Sequence, residues 1–186
     1  MLTQANHRLF TVDEYEQMAV AGILREDDRL ELVGGEIIEM GAISIPHAAC
    51  VKTLTHLFIW QLGKRVIVGV QDPIRLDNRS QPQPDVVLLR PRAGFYAQGH
   101  PEPEDIILVI GVAETSVKFD REVKIPLYGR AGIEEAWLIN LRRKYIEVFR
   151  RPAANGYEET MRLRPGDTIS PLAFPDLVLN VSELLP

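Results

Sequence analysis

A single cysteine, no long apolar run and no excess of positive charge set the first limits on this chain of 186 residues. Cys50 has no intramolecular partner, which excludes a disulfide scaffold and a Cys-rich structural zinc site. The longest uncharged stretches reach about 11 residues, as at 41–51, against the roughly 20 that a membrane helix needs. The N-terminal MLTQANHRLF holds no apolar signal core, so a cytoplasmic protein with no membrane partner is expected. There is no Gly-rich phosphate loop, no GxSxG elbow and no recognisable Cys–His nucleophile pair. His7, His56 and His100 lack the spacing of metal ligands. With 26 acidic against 21 basic side chains the net charge is -5, which excludes a protein that coats nucleic acid through bulk positive charge. Repeats, low-complexity tracts and linkers are absent too, so 1–186 reads as one domain.

What is there is unevenly spread. Residues 1–40 carry net -6, 41–100 net +4, 101–135 net -4 and 136–186 net +1. The sharpest basic cluster is Arg142, Arg143, Lys144, Arg150 and Arg151, a local cationic surface on an acidic protein. Solvated side chains around a hairpin would explain it equally well.

The pattern of apolar residues predicts an α+β (α/β) domain around one mixed sheet. Thr11 with Glu14 makes a capping box for a first helix that Gly22 ends, and Phe10 with Tyr15 fits a hydrophobic staple. RLELVGGEIIEM reads as a β-hairpin turning at Gly34–Gly35. Pro46 opens a long helix to about Arg65 with a broad apolar face. Strands are expected at 66–70, 74–76 and 85–89, with Pro82 and Pro84 confining the approach to the last of these to an edge or loop. IILVIGVA (106–113) is apolar on both faces, the mark of a central strand. A helix at 120–131, kinked or shortened by Pro126, strands at 135–140, 145–149 and 157–163, and a helical turn at 181–185 complete the order.

Buried carboxylates need partners or a metal, so acids beside apolar strands are the candidates for chemistry. Asp85 opens one strand, and Glu31 sits between Leu30 and Leu32 on another. Alternation equally allows Glu31 a solvent-facing position and Asp85 a bond to its own turn. Lys124 would ordinarily point to solvent, and His47 occupies the first turn of the long helix, where polar residues are common.

RLELVGGEIIEM, PHAACVKTLTHLF, QPQPDVVLLR and ILVIGVAETSVKFDREVKIPLYGRAGIEEAWLIN, in this order, resemble the Uma-two family of restriction endonucleases in the PD-(D/E)xK nuclease superfamily. The resemblance implies a restriction-endonuclease-like core: a central mixed sheet of a three-strand meander, a crossover helix and a further strand, flanked by helices. It implies a catalytic set of Asp85, Lys124, Glu31 and His47, with Asp85 and Glu31 as ligands of Mg²⁺ (or Mn²⁺) and DNA as the substrate whose phosphodiester bonds are hydrolysed. Such carboxylates suit a hard cation that lowers the pKa of its water and neutralises developing charge.

One position departs from that pattern. Where the family carries a glutamate in the buried strand, as a further metal ligand, this chain has Gly111. Alternation puts 107, 109, 111 and 113 on one face and sends Glu114 to the other, a poor substitute. An inactive relative, an altered residue, or a rearranged site using Glu31 or Glu39 would each account for it. Two functions from different classes follow: a Mg²⁺-dependent endonuclease, or a catalytically dead nuclease fold that binds DNA or a protein partner. A homodimer is expected, with YIEVF and the helix bearing Trp60 as apolar surface; a dimeric structural protein is the third reading.

Overall fold

The computed structural model describes residues 7–25 and 27–185; the first six residues of the N-terminal segment read for a signal core lie outside them. Helix α1 (Val12–Val20) starts as its capping box dictates. Glu14 N–H donates to Thr11 Oγ1 at 3.2 Å, and Thr11 N–H donates to the Glu14 carboxylate at 2.9 Å. Strands β1 (Leu30–Val33) and β2 (Glu36–Glu39) form the hairpin, with Gly34 and Gly35 both at positive φ, the two-residue turn whose twist matches the strands. This hairpin is a sheet of its own, joined to the body by a bridge between Leu32 and Gln81.

The main sheet has six strands in the order β3 (Ile67–Gly69), β4 (Val86–Leu89), β5 (Ile106–Ala113), β6 (Glu135–Asn140), β7 (Tyr145–Ala153) and β8 (Gly156–Leu163). All neighbours are antiparallel except β5 and β6, which run parallel because a helical crossover joins them. The mixed sheet flanked by helices agrees with the fold class expected from the sequence. Helix α2 (Ile45–Leu62) lays Cys50, Val51, Leu54, Phe58 and Leu62 on one face of the sheet, a four-residue periodicity that aligns one helical stripe with Leu108, Ile110 and Trp137. Each of these fully buried large side chains contributes on the order of 1.5–3 kcal/mol relative to exposure. The opposite face, with Val109, Ala113 and Leu138, is covered by the crossover helix.

Three expectations needed correction, and one pair of strands was not foreseen. The 74–76 stretch is not a strand: Ile74 N–H bonds Pro82 O and Leu76 N–H bonds Ser80 O, so it closes a loop on itself. The crossover helix starts earlier than expected and runs through Pro126. It comprises α3 (Val117–Phe119), a π-helical turn at Asp120–Lys124 and α4 (Ile125–Arg130) without a break. Pro126 lies at the start of α4, beyond the widened turn that Ile125 N–H closes onto Asp120 O, so its missing donor does not end the helix. YIEVF offers no interface, because β7 is an interior strand paired on both sides and residues 145–149 are all buried. Last, β9 (Thr168–Ile169) and β10 (Leu179–Asn180) form a small antiparallel pair that the apolar pattern is too short to reveal. The chain ends on α5 (Val181–Leu184), which packs on α2.

Candidate functional site

The hairpin, the start of α2, the loop before β4, the end of β5 and the crossover helix converge on one pocket of about 200 Å³. Asp85, Glu31, His47 and Lys124, scattered over ninety-odd positions in the chain, all line it. Asp85 does not bond its own turn. Its Oδ2 accepts from Val112 N–H on the neighbouring strand at 2.7 Å, and its Oδ1 accepts from His47 Nε2 at 2.9 Å and from Gln71 Nε2 at 3.2 Å. Asp85 stands one residue before β4, and the β4–β5 register carries its carboxylate across to Val112.

Ser44 sets His47 in place. Its hydroxyl accepts from His47 N–H as the cap of α2 and donates to Glu114 at 2.6 Å. The hydrogen bond to Asp85 raises the His47 pKa above its ordinary value against the opposing effect of burial. His47 Nδ1 is buried without a hydrogen-bond partner among the described residues.

Lys124 is not a solvent lysine, nor Glu31 a solvent-facing strand residue. Their side chains are 11% and 3% exposed, and Nζ lies 2.8 and 3.1 Å from the two carboxylate oxygens. Gln83 N–H also donates to Glu31 at 3.0 Å. Alternation was right that Glu31 opposes Leu30 and Leu32, but the face it occupies looks onto the crossover helix. Burial pulls the Lys124 ammonium toward neutrality, and Tyr128, Glu31 and Asp120 together overcome that pull and hold its pKa above the usual range.

Two further acids line this pocket: Asp120, which the sequence pattern did not single out, and Glu114. Asp120 stands one helical step before Lys124 on the π-turn; burial raises its pKa, and it accepts from Ser116 Oγ at 2.6 Å. The four-residue spacing within DREVK was the available signal. Glu114 was assigned to the wrong side. β5 ends at Ala113, so strand alternation no longer applies, and the following turn brings Glu114 to the pocket beside Ser44. Glu39 lines the pocket, as does Arg29.

Gly111 lies on the face of β5 that carries Val109 and Ala113, toward the crossover helix. A Cβ placed there would meet only Leu138 Cδ1, at an ordinary 3.7 Å. The backbone therefore has room for a side chain at the position where one is missing.

Residues 12–182 match a family model described as "Putative restriction endonuclease", Uma2. The chain belongs to the Uma2 family. A solved structure titled as a putative nuclease of DUF820 from Anabaena variabilis superposes with a TM-score of 0.73 at 16% identity, covering 94% of this chain and 97% of that one. At that identity the likeness establishes the nuclease-like fold and no more. No curated protein matches the chain.

The Uma2 fold brings with it the question of a divalent cation. Among the described residues no three His, Cys, Asp or Glu side chains are grouped so as to hold a metal ion. The donors are of the right hard-oxygen chemistry, yet Glu31 is neutralised by Lys124 and Asp85 is engaged by His47, Gln71 and Val112. As arranged, these residues do not make a metal set. No described helix is long and apolar enough to cross a membrane.

Proposed function

We propose that this Uma2 protein binds DNA at the Asp85–Lys124 pocket and that its hydrolytic centre is incomplete at Gly111. The observation that carries this reading is the pairing of the pocket's charges. The two carboxylates expected to act on a cation each face a cationic or imidazole partner, and position 111 supplies no third. A protonated His47 and Arg29, both on the pocket wall, are the positive groups able to face a phosphate oxygen. With a carboxylate restored at 111, Mg²⁺ (or Mn²⁺) would gain a further hard ligand beside Asp85.

A second reading, an active Mg²⁺-dependent endonuclease, has its own support in Asp120 and Glu114, two acids on the same pocket that a rearranged centre would use. Incubating supercoiled plasmid with Mg²⁺ or Mn²⁺ separates the two. The wild type should bind plasmid without nicking it, and Gly111→Glu should nick it and take up Mn²⁺ measurably by titration calorimetry. Nicking by the wild type that Asp85→Ala abolishes would establish the active reading instead. Absence of any DNA binding would overturn both. Self-association belongs to the same proposal, through α2, whose Ile45, Ile59 and Trp60 are 88%, 56% and 78% exposed. Light scattering reads the dimer directly.

A further inference from the structure

The basic cluster singled out from the sequence splits in two in the fold. Arg150 is committed: it donates to Glu135, itself buried, and to the carbonyl of Ser170. Arg151 pairs with Glu158. Both stand some five or six residues along β7 from Tyr145, about 20 Å from the strand's start. Arg142 and Arg143, by contrast, stand exposed on the β6–β7 turn.

That turn adjoins the pocket. β5 and β6 are parallel, so their carboxyl ends leave the sheet side by side, Ala113 opposite Asn140, and Leu141 N–H donates to Ala113 O at 3.0 Å. Glu114, Thr115 and Ser116, the next residues on the β5 side, line the pocket. The turn is held rigidly: buried Asn140 accepts from Arg143 N–H at 2.9 Å and donates to Tyr145 Oη at 3.0 Å. No acid among the described residues pairs with the Arg142 or Arg143 side chain. Behind it Arg121 and Arg162 share the single carboxylate of Glu147, which leaves that trio positive by one charge.

An acidic pocket with a cationic rim on one side suits a polyanion that passes the mouth and presents one linkage inward. We propose that the Arg142–Lys144 turn, backed by Arg121 and Arg162, holds the sugar–phosphate backbone of duplex DNA across the pocket. This rests on the DNA-binding reading above and adds the surface that positions the duplex.

The test is fluorescence anisotropy of a labelled duplex at several salt concentrations with the full chain. It compares the wild type, Arg142→Ala with Arg143→Ala, and Lys64→Ala with Arg151→Ala. The last pair removes the same charge far away: Lys64 lies past the other end of α2, about 27 Å long. The turn variant should lose roughly tenfold or more in affinity at moderate salt, and its slope of log affinity against log salt should shrink by about 1.8. The distant pair should keep the wild-type slope. Circular dichroism checks that both variants fold. Equal losses in the two variants, or none in the turn variant, would overturn the assignment while leaving the pocket reading intact. A wild type that binds no duplex would overturn both.

Discussion

The Lys124 ammonium and the Glu31 carboxylate lie 2.8 Å apart and almost wholly out of water, joining the crossover helix to the hairpin. Breaking a buried pair by removing one partner leaves the other charge without compensation, at a cost of about 3–5 kcal/mol. Glu31→Gln and Lys124→Met should each destabilise the protein by that order in urea unfolding. The double variant should lose clearly less than the two losses added together. Additive losses would mean that the two groups do not interact.

His47 and Asp85 make a second linked pair, with a pH signature. The folded pKa of His47 is raised, so the contact stabilises fully below the unfolded value near 6.5 and the stabilisation is lost as pH rises through the folded pKa. By proton NMR the His47 ring should titrate above 6.5 in the wild type and lower in Asp85→Asn. The gap in melting temperature between the two proteins should be wider near pH 5.5 than near pH 9. An unchanged His47 midpoint in Asp85→Asn would remove the pairing as its cause.

Two glycines should respond oppositely to alanine. Gly111→Ala adds a Cβ in ordinary contact with Leu138 and removes the excess backbone entropy of a strand glycine, so it should stabilise by roughly 0.5–1 kcal/mol. At Gly129 a Cβ would collide with Gly156 O, where α4 meets the start of β8, so Gly129→Ala must push the helix off the sheet. A loss of about 1–3 kcal/mol is expected there. Thermal denaturation of the two variants checks both signs.

Cys50 is buried under α5, and its Sγ donates to Leu184 O at 3.2 Å. Burial pushes its thiol up to about 12, so almost no thiolate exists at neutral pH. Ellman's reagent should leave the native protein unmodified and react with one thiol per chain after denaturation. Rapid labelling of native protein would show that α5 opens.

The local elements were legible because each rests on neighbouring residues. The Thr11–Glu14 capping box, the Gly34–Gly35 turn, the Pro46 opening of α2 and the two-faced apolar run of β5 are written within a few positions of one another. Where local rules ran past an element's end they failed. Alternation carried beyond Ala113 misplaced Glu114, and Pro126 gave no sign that the helix begins earlier, with a π-turn ahead of it.

The sequence alone determined the longer strands and helices and their order, the family, and the absence of a carboxylate at 111, since these depend on residue type and periodicity. Only the tertiary structure decided which charges meet. Whether Lys124 faces solvent or Glu31, and whether Arg143 or Arg150 remains available to a partner, depends on contacts between residues far apart in the chain. Burial, which makes an unpaired charge costly, is a property of the packed sheet and helices together.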